Sequence, residues 1–82
     1  MTFQVVAETH NFTRAAMTLG YSQSGVTMQI KALERELGTM LFERCRFSRR
    51  VELTDEGRLT LDYARRLLTL ADETKAAVRA SA

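Results

Sequence analysis

The pattern of apolar and polar residues divides the chain into four stretches with helical periodicity and one with strand-like alternation. Apolar side chains recur three and four positions apart in TFQVVAET and FTRAAMTL, which predicts short helices at residues 2–9 and 12–19. Gly20, a residue that commonly ends helices, and Ser22, a residue that commonly caps them, follow at once. A tight turn therefore leads into a third helix, which is the layout of a helix-turn-helix.

The third predicted helix, residues 23–37, has two chemically different faces. One face carries apolar residues expected against a core: Val26, Ile30, Leu33 and Leu37. The opposite face carries Ser24, Met28, Lys31 and Arg35. A solvated surface is the ordinary explanation for such a face. The alternative is contact with DNA, which the small residues Ser22, Ser24, Gly25 and Thr27 favour because they allow close approach and supply hydroxyl groups.

A β-hairpin with an arginine-rich tip is predicted next. Val51 and Leu53 alternate with Glu52 as in a half-buried strand, and Leu41 and Phe42 precede the loop, so residues 45–50 form the tip. Four arginines crowd this region: Arg44, Arg46, Arg49 and Arg50. Either they keep a charged loop in solvent, or they form a wing that contacts a DNA backbone or minor groove.

Three further residues near these elements each have two explanations. Phe47, in the hairpin tip, either folds back onto the domain or contacts sugars and base edges. Cys45 is either an ordinary loop cysteine or a thiol activated by the neighbouring arginines. His10, ahead of the second helix, is either structural or simply exposed.

The last predicted helix, residues 55–80, is long for the size of the chain. Thr54 caps it, and at about 1.5 Å per residue it spans roughly 39 Å, more than the remaining residues can cover. Its apolar residues occupy more than one stripe, so a second helix is expected against it. The candidates for this homodimer contact are Leu61, Ala64, Leu67, Leu68, Ala71 and Val78.

Composition narrows the possible functions. The chain has 82 residues, of which 45% are hydrophobic and 27% charged, as in one small globular domain. One cysteine and one histidine, far apart, provide neither a disulfide, a metal site nor a nucleophilic dyad, so we expect no cofactor and no enzymatic activity. Neither a long apolar run nor a basic-then-apolar leader is visible, so we expect no membrane association and a cytoplasmic location.

Together these elements predict a mainly α fold with a small β-hairpin, namely a winged helix-turn-helix followed by a long C-terminal linker helix. Residues 1–54 would form the DNA-binding domain and residues 55–82 the linker and dimerisation helix. The third helix would lie in a major groove and the wing on the adjacent backbone or minor groove. A rival hypothesis is a helical protein-interaction module whose arginine-rich loop binds an acidic protein.

The sequence also resembles a known family. The runs NFTRAAMTLGYSQSGVTMQIKALERELGTMLFER and VELTDEGRLTLDYARRLL are similar to the N-terminal DNA-binding domain of LysR-type transcriptional regulators. The resemblance implies a bacterial regulator acting at the nucleoid, dimeric through its linker helix, with an interrupted palindromic DNA site and a tetramer as a further assembly of the full-length protein. A small-molecule effector would bind only through a C-terminal domain that is not in this sequence.

Position by position, the resemblance implies contact roles for particular residues. The base-reading start of the recognition helix corresponds to Gln23, Ser24, Thr27 and Met28. Lys31 corresponds to a backbone contact further along, and Thr13 to a phosphate contact from the preceding helix. Arg44 ends the LFER motif, and the arginines from 46 to 50 correspond to the wing. The sequence departs from the family pattern in a shorter first helix, in Gly25, and in two additional residues between LFER and LT.

Overall fold

A computed structural model describes residues 1–81, which form four helices and one two-stranded antiparallel sheet. The helices are α1 (Thr2–Thr9), α2 (Phe12–Leu19), α3 (Gln23–Leu37) and α4 (Asp55–Ser81), and the strands are β1 (Phe42–Arg44) and β2 (Val51–Leu53). The fold is the expected winged helix-turn-helix with a long C-terminal helix. Ala82, the last residue of the predicted linker helix, lies outside the described residues.

Side-chain caps set the ends of the helices where the sequence predicts them. Asn11 Oδ1 accepts a hydrogen bond from Arg14 N at 3.0 Å and starts α2. Gly20 ends α2 with a left-handed φ of 71°, a conformation that costs glycine little. Ser22 Oγ accepts from Gly25 N at 3.0 Å and starts α3. The turn between α2 and α3 therefore has only three residues, and it fixes the angle between the two helices.

The core lies where α1, α2 and α3 meet the hairpin. Its buried apolar residues are Phe3, Val6, Ala7, Phe12, Ala15, Ala16, Val26, Ile30, Leu41, Phe42, Val51 and Ala64. The apolar stripe of α3 enters this core as predicted at Val26 and Ile30, with Leu33 packed partly against it. Leu37 is an exception, because it is 50% exposed in the last turn beside exposed Gly38. The stripe of α3 thus leaves the core one turn early.

The hairpin is a short antiparallel pair in which Phe42 lies opposite Leu53 and Arg44 opposite Val51. Two bonds fix it to its neighbours: Leu41 N donates to Glu34 Oε2 at 2.7 Å, and Thr54 N donates to Leu41 O at 3.0 Å. The base of the hairpin is thereby held against both α3 and the start of α4.

Helix α4 packs on the domain only in its first half. Gly57 and Ala64 are buried and Leu61 packs against the core. From residue 69 to 81 every residue is exposed, and the molecule measures 53 Å along its longest axis. Among residues 1–81, no helix is both long enough and apolar enough to span a membrane.

Candidate nucleic-acid interface

The start of α3 is a capped helix end whose side chains face solvent. The predicted contact residues Ser22, Gln23, Ser24, Met28 and Lys31 are exposed, and Thr27 is half-buried. Met28 is 70% exposed although it is apolar, so it contributes little to the core. The predicted contact face of α3 is therefore accessible to a ligand over about two turns.

Helix α2 places Thr13 beside this helix start. Thr13 Oγ1 donates a hydrogen bond to Gln23 Oε1 at 3.1 Å, which joins the first turn of α2 to the first turn of α3. Amides at a helix N-terminus attract anions, because they lack partners within the helix and lie at the positive end of the helix dipole. Thr13 and Gln23, ten positions apart in the chain, thus form one polar surface at the start of α3.

Two of the wing arginines lie over aromatic rings. The guanidinium carbon of Arg44 is 5.6 Å from the ring centroid of Phe12, and that of Arg46 is 5.6 Å from the ring centroid of Phe47. A guanidinium stacked on a ring is oriented by that ring, while its N–H groups remain directed outwards in the guanidinium plane. Both arginines can therefore still bind an anion.

The other two wing arginines differ in their partners. Arg50 Nε donates to Glu52 Oε1 at 2.6 Å, so a carboxylate on the same hairpin already balances its charge. Arg49 takes part in no ion pair within residues 1–81. Of these two predicted contacts, Arg49 is consequently the one with its charge fully available.

A cleft connects α2, the start of α3 and the wing. Its lining residues are Asn11, Phe12, Thr13, Gln23, Arg44, Ser48 and Arg49. Four of them, Thr13, Gln23, Arg44 and Arg49, are predicted site residues that come from three separate elements. The hydroxyl, amide and guanidinium groups around this cleft can donate hydrogen bonds to phosphate oxygens and to the edges of bases.

His10 anchors the wing, a role that the sequence left undecided. Its carbonyl oxygen accepts from Val51 N at 2.9 Å, and its Nδ1 lies 3.1 Å from Val51 O. His10 holds a left-handed φ of 57°, which ends α1 and turns the chain toward α2. The sequence signal was weak, because a left-handed residue at a helix end is more often glycine or asparagine.

Glu52 is the second anchor that sequence reasoning missed. The hydrogen bond from Arg50 holds the pKa of the Glu52 carboxyl below its usual value; partial desolvation opposes this, and the positive charges of Arg50, His10 and Arg58 support it. His10 Nδ1 lies 3.5 Å from Glu52 Oε2. The carboxylate therefore joins the wing to the corner between α1 and α2.

Replacing Glu52 with glutamine should make stability less dependent on pH. Because the folded-state pKa is lowered, the ionised carboxylate stabilises the native state above roughly pH 5, and this contribution is lost as the pH falls through the folded-state value. Thermal unfolding of Glu52→Gln should thus start at a lower temperature than the parent at pH 7, and the difference should shrink in acid. Glu36→Gln, which removes an exposed carboxylate from α3, is the control. A difference that is the same at both pH values would contradict the role of Glu52.

Helix α4 presents two faces, and the predicted dimerisation residues are divided between them. Gly57, Leu61, Ala64 and Leu68 fall within an arc of roughly 60° that faces the domain. Ala64 is 5% exposed and Leu61 packs against the same core, so their main contacts are within their own chain. Periodicity identified these residues as apolar, but it could not distinguish an internal contact from an external one.

A second face of α4 carries large apolar and aromatic side chains that no other helix or strand of the described chain covers. Leu59, Tyr63, Leu67, Leu70 and Val78 are each more than half exposed. With Thr74 they recur at spacings of four or three and fall within an arc of roughly 100°. We call this set the outer stripe. Leu67 and Val78 belong both to the outer stripe and to the predicted dimerisation set, and Ala71 of that set lies at the edge of the stripe. The stripe also includes Leu59, Tyr63 and Leu70, which are outside the predicted set.

Comparison with known proteins identifies one family of bacterial regulators. The family described as bacterial regulatory helix-turn-helix protein, lysR family, matches residues 1–58. The uncharacterized HTH-type transcriptional regulator YusT of Bacillus subtilis (strain 168) is 48% identical over 80 residues, which are 98% of this chain and 26% of YusT. The chain thus spans about a quarter of the length of the curated relatives it matches.

Solved structures resemble the fold over almost its whole length. The crystal structure of a CbnR DBD–DNA complex matches with a TM-score of 0.90 and 42% identity, covering 98% of this chain and 90% of that chain. The BenM DBD bound to benA site 1 DNA matches with a TM-score of 0.88 and 39% identity, covering 98% of this chain and 91% of that one. Both structures contain DNA.

Proposed function

Because this chain belongs to the lysR family of bacterial regulatory helix-turn-helix proteins, we propose that it binds double-stranded DNA sequence-specifically and serves in transcription regulation. The observation that carries the proposal is the cleft lined by Thr13, Gln23 and Arg49, because it joins α2, α3 and the wing in one donor-rich surface. The matched CbnR and BenM structures, both bound to DNA, support it. No catalytic step is part of this function.

In the proposed complex, the exposed face of α3 lies in a major groove. Gln23 and Thr27 read base edges through hydrogen bonds, and Met28 contacts a thymine methyl group. Lys31, one turn further along, binds a backbone phosphate. Glu34, on the next turn, has its carboxylate directed to the base of the hairpin, where it accepts the Leu41 amide at 2.7 Å.

The wing holds the neighbouring backbone or minor groove. Arg49 supplies charge from the rim of the cleft, and Arg44 and Arg46 add guanidinium groups oriented by Phe12 and Phe47. Neutralising phosphates releases counterions, so affinity falls steeply as the salt concentration rises. The wing thus contributes affinity for all sequences, while α3 distinguishes among them.

We further propose that two copies associate through the outer stripe of α4. Each large apolar side chain of the stripe is more than half exposed to solvent. A contiguous apolar surface of this kind typically marks an interaction site, and burying it against a second copy is favourable. A two-fold dimer places two α3 helices against DNA, and the site would be an interrupted palindrome. Such a regulator acts in the bacterial cytoplasm.

Alanine substitutions should separate base reading from backbone binding. Gln23→Ala should reduce the preference for the selected site over random duplex by roughly 1 to 3 kcal/mol, because a base-edge contact is lost. Arg49→Ala should weaken binding to all duplexes alike and lower the salt slope by about 0.9, as expected for one phosphate contact. The measurement is fluorescence anisotropy at several salt concentrations, with a site first selected from a random pool.

Arg79→Ala is the matched control, because this arginine lies near the far end of α4. It should leave both the preference and the salt slope unchanged. If Arg49→Ala behaves in the same way, the assignment of the wing to the backbone is wrong. If the chain prefers no duplex but binds an acidic peptide, the rival hypothesis of a protein-interaction module replaces DNA binding.

A further inference from the structure

Phe47 occupies a backbone position that does not favour it. Ser48 N donates to Cys45 O at 3.3 Å, which closes a four-residue turn across Arg46 and Phe47. Phe47 has a φ of 62°, and the third residue of a turn with positive φ at that position is normally glycine or asparagine. A left-handed conformation costs a residue with a Cβ about 1 kcal/mol or more. Local folding therefore does not explain a phenylalanine at this point.

The ring of Phe47 is held away from the core. The ring is 99% exposed, and the Arg46 guanidinium lies over it with its carbon 5.6 Å from the ring centroid. This settles one of the alternatives left by the sequence, since the side chain does not fold back onto the domain. A phenylalanine side chain gains stability by leaving water. At this site it can gain that stability only from a bound partner.

The charges beside Phe47 indicate the chemistry of that partner. Arg46 precedes it, Arg49 follows two positions later, and neither forms an ion pair within residues 1–81. An apolar protein pocket would have to remove water from these guanidinium groups without neutralising them. A DNA minor groove instead offers phosphates to the arginines and the edges and faces of stacked bases to the ring.

We propose that Phe47 is a specificity-determining residue that inserts into the minor groove and wedges against a base step. This inference rests on the proposed DNA-binding function and extends it to base pairs outside the α3 contact. An apolar wedge partly unstacks a step, which costs less at flexible pyrimidine–purine steps such as TA than in stiff A-tracts. The wing would thereby read the deformability of the flanking DNA without hydrogen bonds to its bases.

The test uses two duplexes that share one selected α3 site and differ only under the wing, where one has a TA step and the other an A-tract. The parent chain should bind the TA duplex at least roughly fivefold more tightly. With 2-aminopurine beside the step, its fluorescence should rise on binding as the base unstacks. Phe47→Asn should lose the step preference and the fluorescence rise, whereas Phe47→Leu, which keeps an apolar wedge, should retain part of both.

Two further readouts assign a failure to its cause. Phe47→Asn should unfold at the same temperature as the parent or higher, because asparagine tolerates positive φ, so loss of fold is distinguishable from loss of the wedge. Equal step preference in Phe47→Asn and the parent, or no preference in the parent, would overturn the wedge while leaving the α3 site preference intact. Loss of the α3 site preference in the parent would instead refute the proposed function itself.

Discussion

Replacing Gly57 with alanine should lower the free energy of unfolding by about 3 kcal/mol or more. A Cβ at this position would lie 2.1 Å from Leu41 O and 2.9 Å from Leu53 Cδ2. The leucine side chain can rotate, but the carbonyl cannot move freely because it accepts Thr54 N at 3.0 Å. The substitution would therefore push α4 away from the base of the hairpin. Urea unfolding at a fixed protein concentration measures the effect.

The same substitution at Gly25 is the control, since this glycine also lies in the first turn of a helix. A Cβ there would meet only Ser22 Oγ, at 3.0 Å, the end of a side chain that can rotate. Alanine improves helix propensity by up to about 1 kcal/mol but crowds the capping hydroxyl, so the net change should stay within about 1 kcal/mol. Equal unfolding midpoints for Gly57→Ala and the parent would show that α4 is not packed as described.

Replacing Leu67 with glutamate should separate the two copies of the proposed dimer. Leu67 is 62% exposed in the middle of the outer stripe, so the monomer tolerates the change. In the dimer the new carboxylate would be buried in an apolar seam, which should raise the dissociation constant at least roughly 100-fold. Sedimentation equilibrium would measure this directly. Affinity for a full palindrome should fall toward that for a single half-site.

Ala76→Glu supplies the matched control for that experiment. It adds the same charge to an exposed position of α4, on a face distant from both the outer stripe and the core. The control should dimerise like the parent. If instead Leu67→Glu sediments as a dimer while Ala76→Glu does not, the association surface lies on the other side of the helix.

Sequence reasoning located the helices closely because their ends are determined locally. The capping residues Asn11, Ser22 and Thr54 form side-chain hydrogen bonds within three residues of themselves, so a short segment carries the whole signal. The glycines at positions 20 and 38 act in the same way at the opposite ends, with left-handed φ values of 71° and 72°. The lengths of α2 and α3, and with them the helix-turn-helix, follow from these few residues.

What the sequence could not predict depends on contacts distant along the chain. By sequence, Gly57 is an ordinary early residue of a helix, and only the fold brings the Leu41 carbonyl against it. Ala64 fits a helix–helix seam by its spacing, and only the packed fold shows that it belongs to its own core. His10 and Val51, 41 positions apart, form a pair that no periodicity indicates.

In the candidate site, the sequence predicted which residue types are present better than it predicted the ion pairing and exposure of each side chain. The four wing arginines were equivalent by position, yet Arg50 is paired with Glu52 while Arg49 is at the cleft. The ring of Phe47 was expected either to fold back onto the domain or to contact sugars and base edges, and its exposure depends on the conformation of the turn. Such differences arise from side-chain geometry, which amino-acid order constrains only weakly.

The anchoring of the hairpin has an evolutionary consequence. Its base is fixed by His10 on one side and by Thr54 on the other, and Cys45 N donates to Arg50 O at 3.0 Å where the strands end. The loop beyond that closing bond has its hydrogen bonds within residues 45–50, so insertions or substitutions there should leave α3 in place. Selection can therefore vary the loop in length and sequence while the recognition helix is inherited unchanged, so that related regulators could diverge in the DNA they prefer around a shared half-site.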